Sequence, residues 1–152
     1  MLGIVGVGCG GGSDGTNSSA TKAEFVKQAD LICADAKSER LAAAEEEFNP
    51  KQRQGGHVVG SAAVKALEAE LAELGEEVLQ EKMIPSMKSQ LKQLEGLDAP
   101  AADEAKIQKM LDNMNKAIGE VEKQGFKGLI GGNQFDPFDA EAQSYGLNCK
   151  VV

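Results

Sequence analysis

The apolar positions of this chain recur at the three- and four-residue steps of helices, after an opening stretch that lacks such a pattern. From Thr21 to Phe48, the residues Phe25, Ala29, Ile32, Cys33, Ala36 and Ala44 fall on one stripe of a helix. Thr21 followed three residues later by Glu24 makes a capping box, which starts that helix at about residue 21. Asn49 and Pro50 mark its predicted end, because the residue before a proline disfavours the helical region, and residues 50–60 read as a loop.

Between Ser61 and Leu94 the periodicity is clearest. Val64, Leu67, Leu71, Leu74 and Val78 form one packing seam, and Leu79, Met83, Met87, Leu91 and Leu94 form a second. The second is rotated from the first by about a third of a turn, so one long helix is expected to face two different neighbours. Pro85 lies near the switch and lacks a backbone donor, which predicts a kink or break near residues 81–84.

A turn over residues 96–100 follows, with Asp98 as the expected N-cap and Asp103 and Glu104 in the first turn of the next helix. The seam of that helix is Ile107, Met110, Met114, Ala117 and Val121, and it is expected to end near Gln124, where Gly125, Gly128, Gly131 and Gly132 accumulate. Residues 125–132 read as a flexible connection, although Phe126, Leu129 and Ile130 could instead fold over the bundle end or meet a partner. A last helix starts at Asp136 with Pro137 in its first turn. Phe138, Ala142 and Tyr145 share its face, Gly146 supplies a left-handed position and Leu147 completes a Schellman cap. The expected fold is all-α, a kinked bundle of about four helices over residues 21–152.

Composition narrows the class further. The chain of 152 residues is 41% hydrophobic and 26% charged, the content of about one globular domain. Aromatics at 4% and the absence of Trp remove the usual core material of a β-sandwich or barrel. Sixteen basic against twenty-four acidic residues give a net charge of -8, which repels phosphate backbones, so no nucleic acid partner is expected. No apolar run approaches the roughly 20 residues of a membrane-crossing helix, and any membrane attachment is expected to be an anchor.

The opening segment Met1–Ser19 is an apolar stretch leading to Gly8 and Cys9, then a tract of Gly, Ser, Asn and Asp with linker composition. It resembles the lipobox of bacterial lipoproteins, in which the cysteine thiol carries diacylglycerol and becomes the mature N-terminus. The resemblance implies residues 1–8 as a signal-peptide remnant, Cys9 as the lipidated residue, and residues 9–20 as anchor and linker. No Lys or Arg precedes the apolar run, which is shorter than a normal h-region, and Gly6 stands where lipoboxes usually carry Leu. A start farther upstream would account for the first two departures.

Three cysteines divide naturally into one lipid thioether at Cys9 and one disulfide between Cys33 and Cys149, an arithmetic that favours export. Closing so long a loop would remove unfolded-state entropy worth roughly 4–5 kcal/mol. Two buried free thiols in a cytosolic protein are the alternative. No C-x-x-C occurs, so dithiol redox catalysis has no support.

Several short motifs extend the resemblance. Lys22-Ala-Glu-Phe25, Ala29-Asp30, Ile32-Cys33, Leu97-Asp-Ala-Pro100, Asp136-Pro137-Phe138 and Tyr145-Gly-Leu147 with Cys149 are similar to those of small actinobacterial-type secreted lipoproteins. That likeness runs over nearly the whole chain from Cys9 onward. It implies an extracytoplasmic location and a cysteine pair, and it brings no assigned activity.

Candidate chemistry is sparse. His57 is the only histidine, which excludes zinc and di-iron motifs that need paired imidazoles, and it reads as an exposed loop residue. Ser61 and Ser86 lack a nucleophile-elbow context. Residues 125–132 contain no phosphate-loop signature. Glu45, Glu46 and Glu47 point around their helix, whereas Glu70, Glu73, Glu77 and Glu81 align on one face. That row reads as a solvated flank, with a weakly held divalent cation as the alternative.

The expected protein is therefore a non-enzymatic lipoprotein, tethered to the membrane through its lipid and acting as a binding or envelope-associated module without a cofactor. Its partner is expected to be an envelope protein or a small ligand. A small-ligand or metal carrier with a cavity lined by Met83, Met87, Met110 and Met114 is the second reading, and an enzyme the third.

Overall fold

The computed structural model describes residues 20–55 and 61–151, with side chains for 20–49 and 64–151. Helices α1 (Lys22–Gly55), α2 (Ser61–Val78), α3 (Ile84–Glu95), α4 (Glu104–Gly131) and α5 (Asp136–Tyr145) follow in order, and no strand occurs among the described residues. A π-helical turn, Leu79–Met83, joins α2 to α3, so residues 61–95 form one continuous rod. Four helical rods thus make the all-α bundle.

The two ends of the fold are set by local chemistry. At the start of α1, the Thr21 N–H donates to Glu24 Oε2 at 2.8 Å and the Glu24 N–H donates back to Thr21 Oγ1 at 3.3 Å, the expected capping box. At the end of α5, Gly146 is left-handed at φ 104°. There the N–H groups of Leu147 and Gly146 donate to the carbonyls of Ala142 and Gln143, and Leu147 is buried, as a Schellman cap requires.

Three boundaries differ from expectation. Helix α1 does not stop at Asn49 but runs through Pro50 to Gly55. A proline inside a helix costs one hydrogen bond and strain near the preceding turn, and here the helical backbone persists nonetheless. Asp98 is not a cap, because α4 starts later: its N-cap is Asp103, whose side chain bonds elsewhere. Helix α4 does not end at Gln124. Gly125, at φ 68°, breaks it, and the chain then resumes helix to Gly131, so the expected flexible connection is mostly an ordered tail.

The expected break before Pro85 takes the form of the π-helical turn, in which the Ile84 N–H donates to the Leu79 carbonyl. That turn takes up one extra residue, which sets the helical phase back by about 100° and brings the second seam round in line with the first. The rod consequently faces the two helices α1 and α4, both of them along α2 and along α3.

The core is formed by Phe25, Ala29 and Cys33 of α1, Leu79, Met87, Leu91 and Leu94 of the rod, Ile107 to Val121 of α4, and Phe138, Ala142 and Tyr145 of α5. The disulfide Cys33–Cys149 fastens the C-terminal segment to α1 across 116 residues of chain. Beside it, the Asn148 N–H donates to Asp30 Oδ1 at 2.7 Å. Val151 is buried, and its N–H bonds the Asp139 carboxylate. Burial nevertheless pushes that carboxyl up from its ordinary value.

Tyr145 joins three elements. Its hydroxyl donates to Asp103 Oδ2 at 2.9 Å, Phe25 meets its ring edge-on at 5.9 Å, and the Lys22 ammonium lies 4.3 Å from the ring centre. Burial first, and Asp103 second, push the phenol up to about 12. The neutral phenol is thus favoured by folding, and its contribution to stability is complete below about pH 10 and lost as pH rises toward 12. With one Tyr and no Trp in the chain, absorbance at 295 nm isolates this group. The native protein is expected to ionise near pH 12, and Tyr145→Phe to lose about 1 kcal/mol of stability at neutral pH in urea titrations.

Candidate functional site: an apolar cleft at one end of the bundle

Helix α2 packs less completely than α3. Leu67, Leu71 and Leu74 remain half-buried, although they belong to the same seam as buried Val78. Beside Leu71 is a cleft of about 690 Å³, walled by Ala44 and Phe48 of α1, Leu71 and Ala72 of α2, Met83 of the π-helical turn, and the α4 tail. Among the described residues, its charged lining consists of Glu68 and Lys127. Apolar exposure continues at its margin, where Ile130 is 69% exposed. A volume in the range of roughly 300–1,000 Å³ with few polar groups is the character of a small-molecule site.

The tail that forms one wall is held by two devices. Gly75 leaves room for the Phe126 ring, since a Cβ at that position would lie 2.5 Å from it. Phe126 then stacks on Phe48 with ring centres 6.1 Å apart. Meanwhile Glu76 Oε2 accepts the Phe126 N–H at 2.7 Å, capping the helical segment that restarts after Gly125, and Gln80 donates to the other oxygen at 2.9 Å. Those bonds, the backbone one foremost, hold the Glu76 carboxyl below its ordinary value.

Elsewhere the expected site residues separate. Cys33 and Cys149 are bonded to each other and buried, whereas Cys9 and His57 lie outside the described residues, as does the Ser61 side chain. The Ser86 hydroxyl meets only a carboxylate, donating to Glu39 Oε2 at 3.4 Å. Met87, Met110 and Met114 are core residues, and of the four candidate methionines Met83 alone lines the cleft. No group of three or more His, Cys, Asp or Glu side chains suited to a metal gathers among the described residues, so the row from Glu70 to Glu81 forms no such centre. The Lys82 ammonium instead reaches across to Glu47 at 2.6 Å and Glu46 at 3.5 Å.

A polar cluster lies beneath the disulfide. Gln90, with no exposed surface, donates toward Cys33 Sγ at 3.3 Å and Cys149 Sγ at 3.4 Å, and its oxygen accepts from Arg40 Nη1 at 2.9 Å. Arg40 is buried, with Nη2 unpartnered among the described residues, and burial pulls its guanidinium below the ordinary value. Arg40 continues the stripe of Cys33 and Ala36, a spacing that could have revealed it had its charge not suggested solvent.

Comparison with known proteins adds no further assignment: no family model, curated protein or solved structure matches the chain. No described helix is long and apolar enough to cross a membrane.

The tail's cap gives a direct expectation. Because the Glu76 carboxyl is lowered by its bonds in the fold, its cap is complete above the ordinary carboxylate range and lost as pH falls through the lowered value. Glu76→Ala is expected to speed amide exchange at Phe126 roughly five- to tenfold at neutral pH while leaving core amides such as Ile118 unchanged. Acid should likewise lower the protection of the Phe126 amide, measured against its intrinsic exchange rate at each pH, in the parent protein and not in the variant.

Proposed function

We propose that this protein is a membrane-tethered, extracytoplasmic lipoprotein that works as a non-enzymatic binding module, with the apolar cleft as its ligand seat. The carrying observation is that cleft: an apolar surface between α1, α2 and the α4 tail whose charged lining, among the described residues, is Glu68 and Lys127. Such a surface costs free energy when left in water and favours an occupant with an apolar body. The apolar lining supports a ligand carrier, and among the described residues no group of three or more His, Cys, Asp or Glu gathers for a metal.

The cysteines support the proposed location. A disulfide persists in oxidising compartments, which suits Cys33–Cys149 to an exported chain. Cys9, preceded by an apolar stretch and followed by a linker, would carry diacylglycerol, and two acyl chains anchor a protein stably. The likeness to small actinobacterial-type secreted lipoproteins accords with this tether.

Intact mass of the membrane-fraction protein from its own host, with thiol alkylation before and after reduction, tests the tether. The expected result is a chain beginning at Cys9 with diacylglycerol attached and two thiols that react only after reduction. An unlipidated chain retaining residues 1–8, with thiols reactive before reduction, would overturn the proposed location.

A further inference from the structure

The cleft is apolar within and, among its described lining residues, carries one charge of each sign, Glu68 on α2 and Lys127 on the α4 tail. Neither charge is ion-paired among the described residues. A purely apolar ligand would leave both charges unused, an anionic amphiphile would meet Glu68, and a cationic one would meet Lys127. A zwitterionic headgroup satisfies both, with its anionic group toward Lys127 and its ammonium toward Glu68.

The shape limits the body of the ligand. Along the rod, the lining residues run from Glu68 to Met83, a helical rise of about 22 Å. A single acyl chain spans about half the hydrocarbon thickness of a bilayer, roughly 15 Å, and lies within that length. A volume of about 690 Å³ also suits one small amphiphile. A second copy of the chain is a poorer occupant, because each copy carries a net charge of -8.

Resting on the binding reading above, we infer that the cleft takes a single-chain zwitterionic lipid, its acyl chain along α2 and its headgroup between Glu68 and Lys127. The source of such a lipid would be the membrane surface to which the protein is tethered.

The test is calorimetric titration of the full chain with palmitoyl lysophosphatidylethanolamine below its micelle concentration. The parent is expected to bind one molecule, and Ala72→Trp, which fills the cleft, to lose binding while keeping the parent's helical circular dichroism. Glu68→Lys and Lys127→Glu are each expected to weaken binding roughly tenfold, and the double exchange to recover most of it. Palmitoyl lysophosphatidylglycerol and hexadecyltrimethylammonium, each with a single headgroup charge, are expected to bind the parent more weakly. Equal binding of all three probes, or no recovery in the double exchange, would overturn the headgroup assignment while leaving a ligand-binding cleft. Absence of binding by every probe to the folded parent would overturn the cleft reading as well. So would a concentration-dependent dimer abolished by Ala72→Trp, which would make the cleft an interface between copies.

Discussion

One constraint organises the bundle: the rod of residues 61–95 carries two apolar seams out of phase by about one residue, yet it must present both to the same neighbours. The π-helical turn Leu79–Met83 absorbs that residue just before Pro85, where the ordinary hydrogen-bond register would in any case lose a donor. The α3 seam can then close against α1 and α4 as a filled core. With the phase corrected, the α2 seam also points inward. Leu67, Leu71 and Leu74 nevertheless stay half-buried, and Leu71 lines the cleft.

The tail of α4 is the partial cover for that end. It reaches α2 because Gly125 redirects the chain, Gly75 admits the Phe126 ring and Glu76 caps the restarted helix. Two adjacent residues of α2 and a glycine about fifty residues later thus act together to turn a glycine-rich stretch into one wall of a site. The disulfide, in contrast, secures the C-terminal segment to α1, where Gln90 and Arg40 fill the space beneath it with polar atoms. A buried guanidinium with one unpartnered nitrogen is costly, and nothing among the described residues offsets it fully.

What could be read directly from the chain was local. The Thr21–Glu24 box, the Gly146 cap and the seams of α3 and α4 each depend on residues within one or two turns, and the structure contains all of them. Features that depend on tertiary contact were not legible. The helical continuation past Gly125 relies on Glu76, fifty residues earlier, and the burial of Arg40 relies on Gln90, fifty residues later. Asp103 rather than Asp98 opens α4, and its carboxylate serves Tyr145 on α5 instead of its own helix. Pro50 suggested a stop for α1, and the local rule that disfavours helix before proline did not decide that boundary. For the candidate site, Phe126 and Leu129 stood out as apolar residues among glycines. Phe48 and Gly75 carried no comparable signal, since their importance lies in a ring stack and a close approach.

The most direct test of a ligand-binding cleft is the response of the methionine methyl resonances in the full chain as palmitoyl lysophosphatidylethanolamine is added. Met83 lines the cleft, whereas Met87, Met110 and Met114 are buried in the core, so the molecule supplies its own controls. The account predicts a saturable shift of the Met83 methyl with the three core methyls nearly unmoved. A stationary Met83 methyl at saturating lipid, or equal shifts at all four, would contradict it.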